Sequence, residues 1–537
     1  MKPLPNGDRV VVMRRPRTLQ VHGSIMARER RRANCQDHLV ETDLRALFRP
    51  GAARPSGWRR MPTVTADAML ATSHPIAASA GMDAFREGGN AVDAALAAAA
   101  ALTVAEPTDN GLGGDAFAIV WHNGELHGLN GSGRSPRVID EIRVDGTGPR
   151  SVTVPGAVRA WADLAQRFGR LGLDRALSRA AELAARGVAC TPRIADKWAR
   201  APTAPFSAPA VGERFVLPDL AATLRLLAEQ GPDALYRGAV AESIAATSWL
   251  DEDDLADHRS EWVAPLRLDY RGVEVCELPP NGQGAAALVG LALYGGLEPG
   301  LHSQIEAMKL ALADAHAHFA DAPFPASLLA PGHLAARRSL VDPARALDPT
   351  PSTLPRGGTT YLCAVDAEGT AISLIQSVYE TFGSGIVAPG TGVVLQNRAA
   401  GFVEEEGHPN RLAPSRRPFH TIIPGMLLEG NELLGPFGVM GGGMQPQGHL
   451  QLVLRLVDHG DDPQAALDAP RWRVGDGREV HLEPGLWSHE DRLAELGHDV
   501  RRATVQHPFG VGQAILRLGG ALIGGSDGRG DGAAVGF

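Results

Sequence analysis

Chemistry is suggested first by four consecutive residues, Gly357, Gly358, Thr359 and Thr360. Two adjacent hydroxyls follow two glycines at the entrance of a segment in which Tyr361, Cys363 and Val365 alternate with smaller neighbours, the period of a strand. Glycine has no Cβ to obstruct a sharp bend or a close approach. If the bond before Thr359 breaks, that residue carries a hydroxyl and a free α-amine together. An unperturbed α-amine has a pKa of about 8, which leaves a basic fraction near neutrality. Such a pair supplies nucleophile and base from one residue. Cleavage between Gly358 and Thr359 would run by attack of the Thr359 hydroxyl on the preceding carbonyl, exchange of amide for ester, and hydrolysis. Thr360 is the alternative nucleophile. On local sequence alone the two threonines are more readily read as β-branched strand residues, so the surrounding elements must decide.

Those elements are a hairpin and several helices. Within residues 357–402 two strands flank the reversal at Glu368-Gly369, and a glycine-rich turn and a third strand follow. Upstream, Ser79–Arg86 predicts a helix ended by Gly88-Gly89. Ala91–Ala105 predicts a second, with Val92, Leu96 and Thr103 on a narrow face, stopping before Pro107. Asp109-Asn110-Gly111 and Gly113-Gly114 turn the chain into a strand, Phe117–Trp121, without the spacing of a nucleotide-binding loop. Ile305–Asp321 predicts another helix. Its His316 and His318 cannot form an i,i+4 metal pair and no HExxH occurs, so hydrogen-bonded or solvated histidines are expected, with no metal and no cofactor. The proline-rich Asp348–Pro355 reads as a flexible approach to the bond before Thr359.

A chain of 537 residues with 63 glycines and 39 prolines has many turns and room for a large core. Cys35, Cys190, Cys276 and Cys363 are scattered without metal-ligand spacing and are expected to be free thiols. Residues 1–60 hold 14 Lys/Arg against 5 Asp/Glu in a chain of net charge -9, and Arg28, Arg30, Arg31 and Arg32 cluster within them. A basic, loosely docked extension is expected there. No zinc pattern, aromatic platform or recognition helix accompanies it, which argues against nucleic acid. The apolar run Val10–Met13 is too short for a signal peptide, and Ala94–Val104 is too short for a membrane span, so a cytoplasmic protein is expected.

The segments TTYLCAVDAEGTAISLIQS, FGSGIV and FGVMGGGMQPQGHLQ resemble the small-subunit signatures of the γ-glutamyltransferase family, also called glutathione hydrolases, within the N-terminal-nucleophile hydrolases. The likeness is greatest to the divergent bacterial branch that includes amidohydrolases and acylases, and it runs from about Ala71 to the C-terminus. It implies an α+β fold of four layers, αββα. It also implies maturation into a large fragment (61–358, after the extension 1–60) and a small catalytic fragment (359–537) that intertwine. Oligomerisation is left open. By the same resemblance Gly441 and Gly442 are the oxyanion-hole glycines. Ser377 stands where a threonine hydrogen-bonds the nucleophile, and Tyr379 follows at a substrate-facing position. The family's carboxylate-binding arginine matches Ser132, with Arg134 two residues later as a candidate.

Departures from the family pattern bear on substrate. QNRAAGF places Gly401 where better-known members carry the aspartate that grips an α-ammonium, and Arg398 where they have glutamine. His420 and Thr421 replace paired substrate-binding serines. These differences favour an acid-bearing amide lacking an α-ammonium, such as a glutaryl-type amide or oxamate, over a γ-glutamyl compound. The expected activity is therefore hydrolysis of a small acyl amide. A true γ-glutamyltransferase or glutathione hydrolase and an uncleaved, non-catalytic binding protein are the alternatives. Asp527, Arg529 and Asp531 read as turn and surface groups.

Overall fold

The computed structural model describes residues 60–348, 358–503 and 509–537. The basic extension before Arg60 and the proline-rich approach after Asp348 lie outside the described residues.

Two seven-stranded sheets form the centre. The first has the spatial order Ala533–Gly536, Met69–Thr72, Gly358–Val365, Ala371–Tyr379, Asp115–His122, Glu125–Asn130 and Glu261–Val263. The second runs Thr63–Thr65, Ala521–Ser526, Val511–Leu518, Glu432–Met440, Gly425–Glu429, Val273–Glu277 and Leu266–Tyr270. The pairs are antiparallel.

The two-residue period of a strand explains the layering. Along Gly358–Val365, Tyr361, Cys363 and Val365 enter the apolar layer between the sheets, with Cys276, Ile422, Met426 and Ile515. Leu362 and Ala364 point the other way, into a core with the alanines of the helix Ala91–Ala105. On the far side Val275, Leu427 and Phe437 pack under the helices Gly284–Tyr294 and Leu301–His318. Helix, sheet, sheet and helix make four layers, as expected.

The helix Ala91–Ala105 is buried on every side rather than along one narrow face. Small side chains let it pass between the sheet and neighbouring helices, and such contact all round leaves little amphipathic signal. Its start is held twice. Asn90 and Asp93 form a capping box, and Asp366 in the hairpin turn accepts the Ala91 N–H at 3.0 Å. The hairpin carrying Thr359 is thereby fixed to the helix it covers.

The first helix begins at Pro75, earlier than its sequence pattern indicates, because His74 Nδ1 accepts the Ile76 N–H as an N-cap. The helix expected at Ile305–Asp321 spans Leu301–His318. The third strand after the hairpin is reduced to two two-residue strands, Val387–Ala388 and Val393–Val394, that pair with each other. Asp527 and Arg529 are a correction: they are not surface groups. Asp527 is buried between Arg471, at 2.7 Å, and Arg529, which also pairs with Glu483. Asp531 accepts the Thr191 hydroxyl at 2.6 Å. Cys190, Cys276 and Cys363 are free and buried.

Both sheets join strands from before and after Thr359. Separating the two halves would leave unpaired strand edges across the whole centre.

Candidate active site

The site is built at the end of the Thr359 hairpin. Between Gly358 and Thr360 the register shifts, so these positions face Tyr379 and Gln376. The facing strand thus carries an extra residue, a bulge of the kind that re-aims a side chain. It turns the Ser377 hydroxyl toward the bond before Thr359.

The hydrogen bonds fix where the Ser377 proton points. Its Oγ accepts the Tyr379 N–H at 2.7 Å and an Arg398 Nη2–H at 3.1 Å. Both lone pairs are occupied by groups that cannot accept, so the one O–H must donate elsewhere. It donates to the Gly358 carbonyl oxygen at 2.7 Å. Thr359 Oγ1 and Thr360 Oγ1 are buried without a hydrogen-bond partner.

Arg398 is fully buried and its contacts are hydroxyls and a ring. Nη1 donates to Thr421 Oγ1 at 2.9 Å, Nη2 reaches Ser377, and the guanidinium lies 4.2 Å from the centre of the Tyr379 ring. Its Nε has no hydrogen-bond partner. Burial lowers its pKa to about 10, with Asp115 opposing, so it stays cationic at neutrality. Tyr379 holds φ at 78°, a left-handed conformation that costs a non-glycine residue energy and is typical of functional positions.

Behind Arg398 sits Asp115. Its Oδ1 accepts N–H groups from Gly133, Gly156 and the Gln396 side chain, and its Oδ2 takes His420 Nε2 at 3.0 Å. Burial pushes Asp115 up to about 7 despite Arg398 and these donors. His420 is held well below its usual range by burial and by Arg398. It is therefore neutral, donating from Nε2 while Nδ1 accepts the Ile422 N–H.

On the second sheet, Gly441 and Gly442 follow the strand Glu432–Met440 with φ of 129° and 60°. A side chain at Gly441 would be strained by this conformation and would stand 3.0 Å from Gly510 Cα. Gln283 ties this turn to the other wall: its Nε2 donates to Thr421 O at 2.6 Å and Gly442 O at 2.9 Å.

Ser377, Tyr379, Arg398 and Thr421 thus share one network, while the His420–Asp115 pair acts on Arg398 through charge alone. Arg134 is engaged elsewhere, with Asp321 Oδ2 at 2.7 Å and Ser415 O at 2.9 Å. At Gly401 a Cβ would meet Phe419 O at 2.6 Å, so the backbone fills the place where an aspartate would begin. Asp115, Gln283 and Gln396 were missed by sequence reasoning. Asp115 directly follows the Gly113-Gly114 turn and Gln283 lies inside PPNGQG, so the available signal was adjacency to glycine-rich turns.

Among the described residues, one cluster has a donor set of metal-site type, His302, Glu306 and His498. Its hydrogen bonds fit a proton-ordered chain instead. Lys309 Nζ faces His498 Nδ1 at 3.3 Å, His498 Nε2 lies 2.8 Å from His302 Nδ1, and His302 Nε2 meets Asp342 O at 3.0 Å. Lys309 also sits 3.0 Å from Glu306 Oε1, already supplying the positive charge there.

A family model described as gamma-glutamyltranspeptidase matches residues 77–537. The chain belongs to the gamma-glutamyltranspeptidase family. The glutathione hydrolase-like YwrD proenzyme of Bacillus subtilis is 34% identical, over 87% of this chain and 98% of that protein. The oxamate amidohydrolase proenzyme of Klebsiella pneumoniae is 33% identical, over 88% and 99%. Among solved structures, the cephalosporin acylase of Bacillus halodurans superposes with a TM-score of 0.86 at 41% identity, covering 90% of this chain and 98% of its own. The gamma-glutamyltranspeptidase fold, two sheets between helices, is that of the N-terminal-nucleophile hydrolases. At family level the protein is an autoprocessing hydrolase of the amidohydrolase and acylase type. No helix of the described residues is long and apolar enough to cross a membrane.

Proposed function

We propose that the chain cuts itself between Gly358 and Thr359 and that Thr359 then hydrolyses the amide bond of a small, acid-bearing acyl compound. The observation that carries this reading is the Ser377 proton aimed at the Gly358 carbonyl beside an unpartnered Thr359 hydroxyl. In maturation, Ser377 stabilises negative charge developing on that carbonyl while Thr359 Oγ attacks its carbon. The products are fragments of 358 and 179 residues, which stay together through their shared sheets.

In turnover, the free Thr359 amine takes the hydroxyl proton as Oγ attacks the substrate carbonyl. Gly441 and Gly442 offer N–H groups to the oxyanion, the amine product leaves with the proton, and water resolves the acyl-enzyme. Arg398 receives an anionic group of the acyl part. It is cationic, buried and bound to hydroxyls that an incoming carboxylate can outcompete. Gly401 and the backbone against it offer an α-ammonium no counter-charge. The names of two relatives, an oxamate amidohydrolase and a cephalosporin acylase, agree with acyl groups other than γ-glutamyl.

The test combines a denaturing gel, N-terminal sequencing of the smaller fragment and an assay of γ-glutamyl, glutaryl and oxamate amides. Two bands, Thr at the new N-terminus and preference for an acid-bearing acyl without an α-ammonium are expected. Preference for the γ-glutamyl compound would overturn the substrate assignment. One intact, inactive band would overturn the enzyme reading in favour of a binding protein.

A further inference from the structure

Gly358 is a glycine for a reason other than its backbone angles, which lie outside the left-handed region. A Cβ built there would stand 2.3 Å from Asp109 Oδ1. The carboxylate of Asp109 fills the space that a side chain at the cleavage position would occupy. That oxygen is buried and has no hydrogen-bond partner, while Oδ2 takes the Lys197 ammonium at 2.5 Å. Asp109 cannot easily swing away. Its carbonyl accepts the Val378 N–H, Thr108 O accepts the Phe382 N–H, and Asn110 Oδ1 accepts the Gln376 side chain at 2.8 Å. These contacts bind the 108–110 turn to the same strand end that presents Ser377.

We propose that Asp109, held in place by its ion pair with Lys197, is the proton carrier for self-cleavage at Gly358–Thr359; this rests on that bond being the one cut. As Thr359 Oγ bonds to the Gly358 carbonyl carbon, its proton passes to Asp109 Oδ1. As the Gly358–Thr359 C–N bond breaks, Asp109 returns the proton to the Thr359 nitrogen and is again a carboxylate. Ser377 hydrogen-bonds the carbonyl oxygen throughout. Water then cleaves the ester, its hydroxyl going to Gly358 and its proton to Thr359 Oγ. In the uncut chain neither Asp109 Oδ1 nor Thr359 Oγ1 is hydrogen-bonded, so neither has to give up a partner to take part in the transfer. Glu106 is the other buried carboxylate of this cluster, 3.8 Å from Arg193, but the approach to Gly358 is made by Asp109.

The experiment follows loss of the intact chain by mass spectrometry in the full-length protein, D109N and D109A, the last with and without formate. D109N keeps the shape and should cleave about 100-fold more slowly, the scale of a lost proton-transfer group. D109A should be equally slow and should recover with formate but not with chloride, a response that a shape-only role would not give. Thermal melting of both variants checks folding. Cleavage of D109N at the wild-type rate overturns the proposal, as does a slow, folded D109A that formate leaves unchanged. A wild-type chain that stays whole, or is cut elsewhere, instead defeats the underlying assignment of the cleavage bond.

Discussion

The Ser377 hydroxyl hydrogen-bonds the Gly358 carbonyl oxygen at 2.7 Å, and its lone pairs are held by the Tyr379 amide and the Arg398 guanidinium. A proton whose direction is set by two other bonds is preorganised: it needs no reorientation when charge grows on the carbonyl.

S377A should therefore slow maturation strongly. Loss of one such donor costs about 3 kcal/mol of transition-state stabilisation, roughly 100-fold or more in rate. S377T restores a hydroxyl and should retain most of the rate. Timed denaturing gels of freshly purified protein measure both, and equal rates for wild type and S377A would remove Ser377 from the mechanism.

If Arg398 receives the anionic group of the acyl part, as proposed, its replacement should affect charge recognition apart from chemistry. R398M should lower kcat/KM for an acid-bearing acyl amide by about 10- to 100-fold, the value of one or two charge-assisted hydrogen bonds. An uncharged acyl amide of similar size should be much less affected. A uniform loss on both substrates would mean that the guanidinium only supports Ser377 and Thr421.

At Gly441 the prediction concerns turnover. G441A puts a side chain on a residue at φ 129°, with its Cβ 3.0 Å from Gly510 Cα, and must displace the turn. Moving one oxyanion donor should cost about 3 kcal/mol in kcat with a smaller effect on KM. Steady-state kinetics on fully matured protein make the comparison.

His258 gives a stability prediction. It is stacked near Tyr236 with its Nε2 unpartnered, and burial together with nearby arginines lowers its pKa from 6.5 to about 3. Below pH 6.5 the unfolded chain takes up a proton that the folded chain refuses until about pH 3, so stability falls as pH drops through that window. By pH 5 this residue should cost about 2 kcal/mol. Glu106 and Asp115, both raised to about 7 by burial, act with the opposite sign, so the informative quantity is the difference from H258F. The stability of H258F relative to wild type, from urea midpoints, should rise by about that amount between pH 7 and pH 5. A constant difference would count against the shift.

The sequence by itself determined the hairpin and its reversal at Glu368-Gly369, the two-residue alternation that separates the inter-sheet face from the helical face, and the two early helices. Each is written in neighbouring residues: a glycine at a turn, a strand period, a stop before proline. Family motifs carried the four layers and supplied most of the candidate site positions. Tertiary structure alone decided how charge is distributed among them. Asp115 receives its hydrogen bonds from residues 133, 156, 396 and 420, Gln283 bridges carbonyls at 421 and 442, and Asp109 meets Gly358. Asp527 read as a turn residue because its partner Arg471 is remote in the chain and its neighbour Arg529 is held by Glu483 only once the chain is folded. The physical reason is that helix and strand formation depend on local spacing, whereas the environment of a buried charge depends on groups brought in from hundreds of residues away.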